Sequence, residues 1–154
     1  MTAARWYDIA FFIALLSTAI ALGAALAHAL ELPNKIGLSG TEYFVVQKAY
    51  RGWNQLAYLL IVEVVSIITV VAMSRQQPYV FWPAVAAFGC LVAAQALFWI
   101  FTYPANVATE NWTVIPANWG ELRHRWEYSH AAGAAFQLLA LCCLIFAVLA
   151  RVRP

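Results

Sequence analysis

Four long apolar stretches constrain this sequence more than any other feature. They cover residues 6–30, 54–73, 80–103 and 122–150. Each can form a helix of roughly 20 residues, the length that crosses the ~30 Å hydrocarbon core of a bilayer. Backbone polar groups in lipid find no water, so they must pair within the segment, as they do in a helix. We therefore predict an all-α fold: an antiparallel four-helix transmembrane bundle, formed by one integral membrane domain over residues 1–154.

Composition supports the membrane class and excludes others. The chain is 64% hydrophobic and 10% charged, whereas soluble domains average about 25% charged residues. The net charge of +2 comes without a basic run, so nucleic acid is not an expected partner and the lipid bilayer is. Cys90, Cys142 and Cys143 lie inside apolar stretches, without the spacing of a metal or redox motif.

The connector between the first two spans carries signals for a short helix. Ser39 and Glu42 have the spacing of a capping box. Tyr43, Val46 and Tyr50 follow at helical intervals, which indicates an amphipathic segment. We predict a short interfacial helix between the first two spans.

The other connectors set the remaining boundaries. Residues 74–79, SRQQPY, are so few that the second and third spans must form a hairpin. Pro104 is expected to stop the third helix. Asn118 and Glu121 repeat the cap spacing and predict that the fourth helix starts at about Trp119.

The charge distribution bears on orientation. Arg5, Arg75, Arg151 and Arg153 lie at one end of the predicted bundle, with Asp8 as the acid there. The opposite end has five basic residues, but these alternate with glutamates. The count of basic residues alone slightly favours the opposite end as the cytoplasmic one. Because those basic residues can pair with the glutamates between them, we expect both termini in the cytoplasm. The first apolar run is longer than the core of a signal peptide, so we expect it to be retained as a helix.

Ionisable residues in apolar spans are functional candidates because lipid disfavours them. His28 and Glu31 close the first span, and Glu127 and His130 open the fourth, each pair at i, i+3. In an antiparallel bundle both pairs lie at similar depth. The deeper Glu63 of the second span is expected to be protonated or paired with Gln95.

The two Glu/His pairs allow several interpretations. His28, Glu31, Glu127 and His130 could hold a transition metal such as iron, zinc, copper or manganese. A haem between the two histidines is the less favoured cofactor. Two acids without a cation would repel each other, which favours a metal. Alternatively, each Glu and His form a hydrogen-bonded pair, or pair with nearby arginines, around a polar pocket.

Residues 111–136, NWTVIPANWGELRHRWEYSHAAGAAF, resemble the signature of the anthrone-oxygenase-like family of small four-helix membrane proteins. Trp126 and His130 match the start of its fourth helix, and Asn106 and Thr113 match the loop before it. HALELPNK and YRGW match the first connector. The resemblance implies a bacterial inner-membrane protein. Fungal members of this family oxidise anthrones to anthraquinones.

The resemblance and the polar residues together lead to a first hypothesis about function. We expect a membrane oxidoreductase, monooxygenase-like, that acts on a lipophilic aromatic small molecule. His130 would be the catalytic base or a ligand, and Arg51 would stabilise a phenolate. The residues expected to bind the substrate are Trp53, Asn54, Asn106, Trp112 and Trp126.

A second hypothesis belongs to a different functional class. The chain would be a non-enzymatic membrane protein that binds a lipid, a quinone or a partner subunit, including a second copy of itself. The small residues at 131–135, AAGAA, would allow close packing between helices.

Overall fold

The computed structural model describes residues 3–152, and all regular structure in that range is helical, without strands. The elements are α1 (Ala3–Lys35), α2 (Gly40–Val46), 3₁₀ turns at Gln47–Tyr50 and Trp53–Gln55, α3 (Leu56–Met73), α4 (Pro78–Leu97), a π-helical turn (Phe98–Thr102), α5 (Tyr103–Ala108) and α6 (Trp119–Val152). The predicted all-α class is confirmed. Arg153, used in the orientation argument, lies outside the described residues.

Four helical stretches are long and apolar enough to cross a membrane. They are Ala4–Lys35, Trp53–Met73, Pro78–Ala108 and Trp119–Arg151. Each overlaps one of the four apolar spans expected from the sequence. Their outward faces expose large apolar side chains, such as Phe12 and Phe146, which water would solvate poorly.

The first helix extends beyond its predicted end. The prediction stopped at residue 30, whereas α1 continues to Lys35 and includes Pro33 near its end. This extension puts Glu31 and Lys35 one turn apart on the same helix face. Lys35, which the prediction assigned to a connector, is therefore carried into the bundle and is buried.

Pro104 does not stop the third span, so that prediction was wrong. A proline inside an α-helix clashes with the carbonyl four residues earlier, here that of Ile100. The backbone widens into the π-helical turn Phe98–Thr102 before it reaches the proline. The chain then stays helical through α5 to Ala108.

The predicted capping box at Ser39 and Glu42 is confirmed, and so is the predicted start of the last helix. The Ser39 side chain accepts from the Glu42 backbone N–H, and the Glu42 carboxylate accepts from the Ser39 N–H at 3.0 Å. The hydrogen bonds from Ser39 lower the pKa of the Glu42 carboxyl below its ordinary value. At the other site α6 begins at Trp119, as expected.

One half of the bundle has an apolar core, which we call the apolar half. Its buried residues are Tyr7, Ala10, Phe11, Ala14, Ile67, Val70, Val80, Ala84, Ala87, Leu91, Ala140, Leu144 and Ala147. They come from α1, α3, α4 and α6, and nearly half of them are alanines. Such small side chains let helix backbones approach closely, which favours helix association by van der Waals contact.

Contacts at the two ends fix how α1 lies against α6. Near the start of α1, Asp8 forms an ion pair with Arg151, close to the end of α6, at 2.6 Å. Near the end of α1, His28 packs against His130, close to the start of α6. We call the end that contains His28, Lys35, Trp126, Glu127 and His130 the polar end.

Candidate functional site

The polar end is organised around two imidazoles. His28 from α1 and His130 from α6 have ring centroids 4.3 Å apart, with their planes at 52°. His28 is only 6% exposed. The structure thus brings together the two histidines that the sequence singled out from different spans.

Aromatic rings enclose this imidazole pair. Tyr50, Trp53 and Trp126 lie 4.4, 5.1 and 5.0 Å from His28, measured between ring centroids. Trp126 also lies 4.0 Å from His130. Trp53 and Trp126 were both expected to line a substrate site, and both contact the histidine pair.

The hydrogen bond of His130 defines its tautomer. Its Nδ1 lies 2.9 Å from the backbone carbonyl oxygen of Trp126. A carbonyl oxygen only accepts, so Nδ1 carries the hydrogen and donates it. In the neutral ring the lone pair is then on Nε2, where it can accept a proton. The Nδ1 atom of His28 is buried and has no hydrogen-bond partner.

Lys35 is the central cation of the polar end. Its Nζ lies 3.1 Å from Glu127 Oε1 and 3.4 Å from Glu31 Oε2, and it donates to the Tyr50 hydroxyl at 2.8 Å. It also lies over the Trp126 ring, 5.2 Å from the centroid. The Lys35 side chain is 4% exposed and that of Glu127 is 0% exposed, so this ion pair is largely shielded from water.

Two tyrosines connect the connector helices to this network. Tyr43 of α2 donates to Glu127 at 2.8 Å and accepts from Gln47, while Tyr50 donates to Glu31. Burial, followed by the neighbouring Glu127 carboxylate, raises the pKa of the Tyr43 phenol. Burial and the Glu31 carboxylate likewise raise the pKa of Tyr50. Both phenols therefore remain protonated donors at neutral pH.

Asn106 orients two of the tryptophans. Its Oδ1 accepts from the indole N–H of Trp112 at 3.1 Å and from that of Trp126 at 2.9 Å. Trp112 reaches this position through three consecutive left-handed residues, Glu110, Asn111 and Trp112, with φ of 48°, 56° and 64°. Such residues cost of order 1–3 kcal/mol each. The buried Trp112 ring and its hydrogen bonds offset that strain.

The four predicted metal ligands do not form a metal-binding group. In the described range 3–152, no set of three or more His, Cys, Asp or Glu side chains is placed to hold a metal ion. Lys35 provides the positive charge between Glu31 and Glu127 that the metal hypothesis assigned to a metal. The two imidazoles are in direct contact, so a haem between them would have to separate them.

The predicted Glu/His hydrogen bonds are not found either. Glu127 bonds Tyr43 and Lys35, and Glu31 bonds Tyr50 and Lys35, while neither bonds its histidine. An i, i+3 spacing places two side chains on one face, but it does not decide which of several neighbours they choose. Both carboxylates are instead bonded by Lys35 and by a tyrosine of the first connector.

Two further predicted site residues are not part of the buried network at the polar end. Arg51 and Asn54 are both exposed. Arg51 makes no ion pair or side-chain hydrogen bond among the described residues. Lys35, Tyr43 and Tyr50 were missed as site residues. The i, i+4 spacing of Glu31 and Lys35 was a usable signal, since it predicts an ion pair once the helix is known to continue past Pro33.

A shallow apolar groove reaches the polar end from the side of the bundle. It has a volume of about 310 Å³ and is lined by Ala24, Gly52, Trp53, Gln55, Leu56 and Leu59. Trp53 forms one wall of the groove and also contacts His28, with 5.1 Å between the ring centroids.

Comparisons with known proteins give no match: no protein family, no curated protein and no solved structure is significantly similar to this chain.

Proposed function

We propose that this protein is an integral membrane oxidoreductase, monooxygenase-like, with its active site at the polar end. The observation that carries the proposal is the contact between His28 and His130 inside an aromatic enclosure, with the Nε2 lone pair of His130 available. A half-buried imidazole with a fixed tautomer, as in His130, is a suitable general base. The expected substrate is a lipophilic aromatic molecule.

The membrane arrangement is supported by length, apolarity and contacts. Four stretches are long enough to span, and their outward faces are apolar. The contacts of Asp8 with Arg151 and of His28 with His130 imply that α1 and α6 run in opposite directions. We infer an antiparallel transmembrane bundle. We further propose that the termini face the cytoplasm of a bacterium. Arg5, Arg75 and Arg151 would share that side, whereas Lys35 and Arg125 at the other end are paired with glutamates.

The groove beside Trp53 supports a substrate that arrives from lipid. Its lining is almost wholly apolar and lies at the outside of α1 and α3. An aromatic molecule in this groove would stack near Trp53, next to His28. Aromatic and apolar walls with a few polar groups are typical of sites for such ligands.

The proposed reaction uses dioxygen as oxidant. His130 Nε2 removes a proton from an acidic CH₂ group beside a carbonyl and two aromatic rings, as in an anthrone. The resulting anion is delocalised onto oxygen, and the buried Lys35 ammonium is the nearby charge that can stabilise it. Reaction with O₂ converts CH₂ to C=O: one oxygen atom enters the product, and the other leaves as water with the two hydrogens. Lys35 here takes the role that the sequence hypothesis gave to Arg51.

Turnover by the purified protein tests this proposal. In lipid nanodiscs with an anthrone, we expect O₂ uptake and quinone formation above the rate of spontaneous oxidation. His130→Ala should lower kcat by about 10²-fold or more, the usual contribution of a general base. His124→Ala is the matched control, because His124 lies on the same helix but is exposed. Equal rates in these two variants would remove His130 from the mechanism.

A second variant separates the two candidate cations. Arg51→Ala should retain nearly full activity, because Arg51 is exposed and outside the Lys35 network. A loss similar to that of His130→Ala would restore the original assignment of Arg51 and argue against Lys35.

One observation favours a second candidate function, that of a non-enzymatic protein that binds a lipid, a quinone or a partner. Lys35 already has three oxygen partners, a pattern typical of a structural cluster. In that case no substrate in a panel of anthrones and quinols would be turned over. Native mass spectrometry would instead show a retained lipid or subunit, and variants of the polar end would change only stability.

A further inference from the structure

A second polar cluster lies deeper in the bundle, away from the polar end. It joins Thr18 of α1, Glu63 of α3 and Gln137 of α6. Thr18 and Glu63 are 0% exposed and Gln137 is 4% exposed. Gln137 donates from Nε2 to Glu63 Oε1, and the Thr18 hydroxyl lies beside the same carboxyl. From the sequence, Glu63 was expected to be protonated or paired with Gln95; the side chain that bonds it is Gln137.

Two atoms of this cluster are incompletely satisfied. Glu63 Oε2 and Thr18 Oγ1 are both buried without a hydrogen-bond partner. The other nearby hydroxyls are already used: Ser17 donates to Ile13 O at 2.7 Å, and Ser66 donates to Glu63 O at 3.0 Å. Thr18 Oγ1 and Glu63 Oε2 do not hydrogen-bond each other, so nothing compensates a negative charge on Oε2, and a proton there would remove that charge.

No cation balances Glu63 within the described part of the chain. Its carboxylate takes part in none of the ion pairs found there. The α4 helix has no charged residue, and α1 has none between Asp8 and His28. The α6 helix has no charged residue between His130 and Arg151. An unpaired carboxylate in such a place costs several kcal/mol, which protonation avoids.

We propose that Thr18, Glu63 and Gln137 form a proton-binding site in the middle of the bundle, reached from the polar end. Glu63 binds the proton on Oε2, the oxygen that has no hydrogen-bond partner. Oε1 continues to accept from Gln137. The site depends on the buried cluster alone and does not require the oxidoreductase activity.

The surroundings of the cluster differ on its two sides. Gln137 follows His130 by seven residues of α6, about 10 Å along the axis, and Ala134 lies between them on that face. On the other side, the apolar half is closed by Ile67, Leu91 and Leu144, each at most 1% exposed. On this face of α6 the small Ala134 therefore lies between the cluster and His130, whereas large side chains separate the cluster from the opposite end.

Infrared spectroscopy tests the protonation state directly. In membranes at pH 7, the wild-type protein should show the C=O stretch of a protonated carboxylic acid, which disappears in Glu63→Gln. Thr18→Val keeps the side-chain shape but removes the hydroxyl beside the carboxyl, so the band should remain and shift in frequency. This second variant keeps the test valid if Glu63→Gln folds poorly.

Two outcomes would overturn the proton-binding site. The first is absence of the acid band from the wild type, with a carboxylate band in its place. The second is a carboxylate band that depends on added sodium or potassium, since Glu63 would then bind a metal cation instead of a proton.

Deuterium exchange of the acid proton tests the route. Ala134→Val adds methyl groups between the cluster and His130, and should slow exchange of the Glu63 proton in D₂O several-fold. Ala135→Val is the matched control, because Ala135 is the next residue of the same helix but is exposed. Equal exchange rates in the two variants would show that the proton does not enter past Ala134.

Discussion

The apolar half and the polar end of the bundle are built from the same α1 and α6 helices, but different forces hold them. In the apolar half, alanines such as Ala14 and Ala140 are fully buried, and the helices meet through close van der Waals contact. At the polar end, Lys35 and Glu127 form a buried ion pair between aromatic rings. We therefore expect the stability of the apolar half to depend on the volume of its buried side chains, and that of the polar end on the charges of its buried side chains.

The largest effect is expected from Lys35→Met. It keeps most of the apolar stem but leaves the fully buried Glu127 without its cation, which costs about 3–5 kcal/mol of unfolding free energy. Thermal and denaturant unfolding in detergent micelles would measure it. Lys48→Met is the control, since Lys48 is exposed and should change stability little.

The double variant Lys35→Met, Glu127→Gln sharpens this prediction. Removing both charges should recover much of the stability lost in the single variant, because the penalty comes from an uncompensated carboxylate. Without such recovery, Lys35 would be stabilising through packing, and the contrast between the two regions would weaken.

Leu144→Ala probes the apolar half. Leu144 is 0% exposed, so truncation leaves a cavity that costs about 2–5 kcal/mol. Leu139→Ala should be nearly neutral on the same helix, because Leu139 is 51% exposed. If the polar end is independent of this core, Leu144→Ala should still turn over substrate normally at temperatures where it is folded.

Asn106→Leu tests the positioning of the tryptophans. It removes the acceptor shared by Trp112 and Trp126, and two indole N–H groups without a partner should cost about 1–3 kcal/mol. Tryptophan fluorescence should report the changed surroundings of Trp126. Asn54→Leu is the control at an exposed asparagine; an equal effect there would mean that Asn106 has no special role.

The smallest effect is expected at the start of α2. The hydrogen bonds from Ser39 lower the pKa of the Glu42 carboxyl in the folded protein, so its contribution is present above the ordinary glutamate pKa. That contribution is lost as pH falls through the lowered value. Ser39→Ala should flatten this acid-side change in the unfolding midpoint, whereas Thr41→Ala should preserve it. Identical pH profiles for all three proteins would contradict the role of the cap.

The sequence alone determined the four long helices, because the length of an apolar run can be read locally. Backbone N–H and C=O groups in such a run, away from water, must bond each other within the segment, as they do in a helix. It also determined the start of α6 at Trp119 and the capping box at Ser39 and Glu42, since caps depend on residues three positions apart. The proline rule failed at Pro104, where a π-helical turn relieved the clash that should have ended the helix.

Only the tertiary structure decided which polar groups pair. Glu127 and His130 share a face of α6, but Glu127 bonds Tyr43 and Lys35 from residues more than 80 positions away. Likewise Glu63 bonds Gln137 and not Gln95. The partner of a buried charge is a group that the fold places within hydrogen-bond distance. For Glu127 that depends on how α1, α2 and α6 pack against one another. Local spacing could therefore name His28 and His130 as site residues, but it could not reveal that Lys35 supplies the cation beside them.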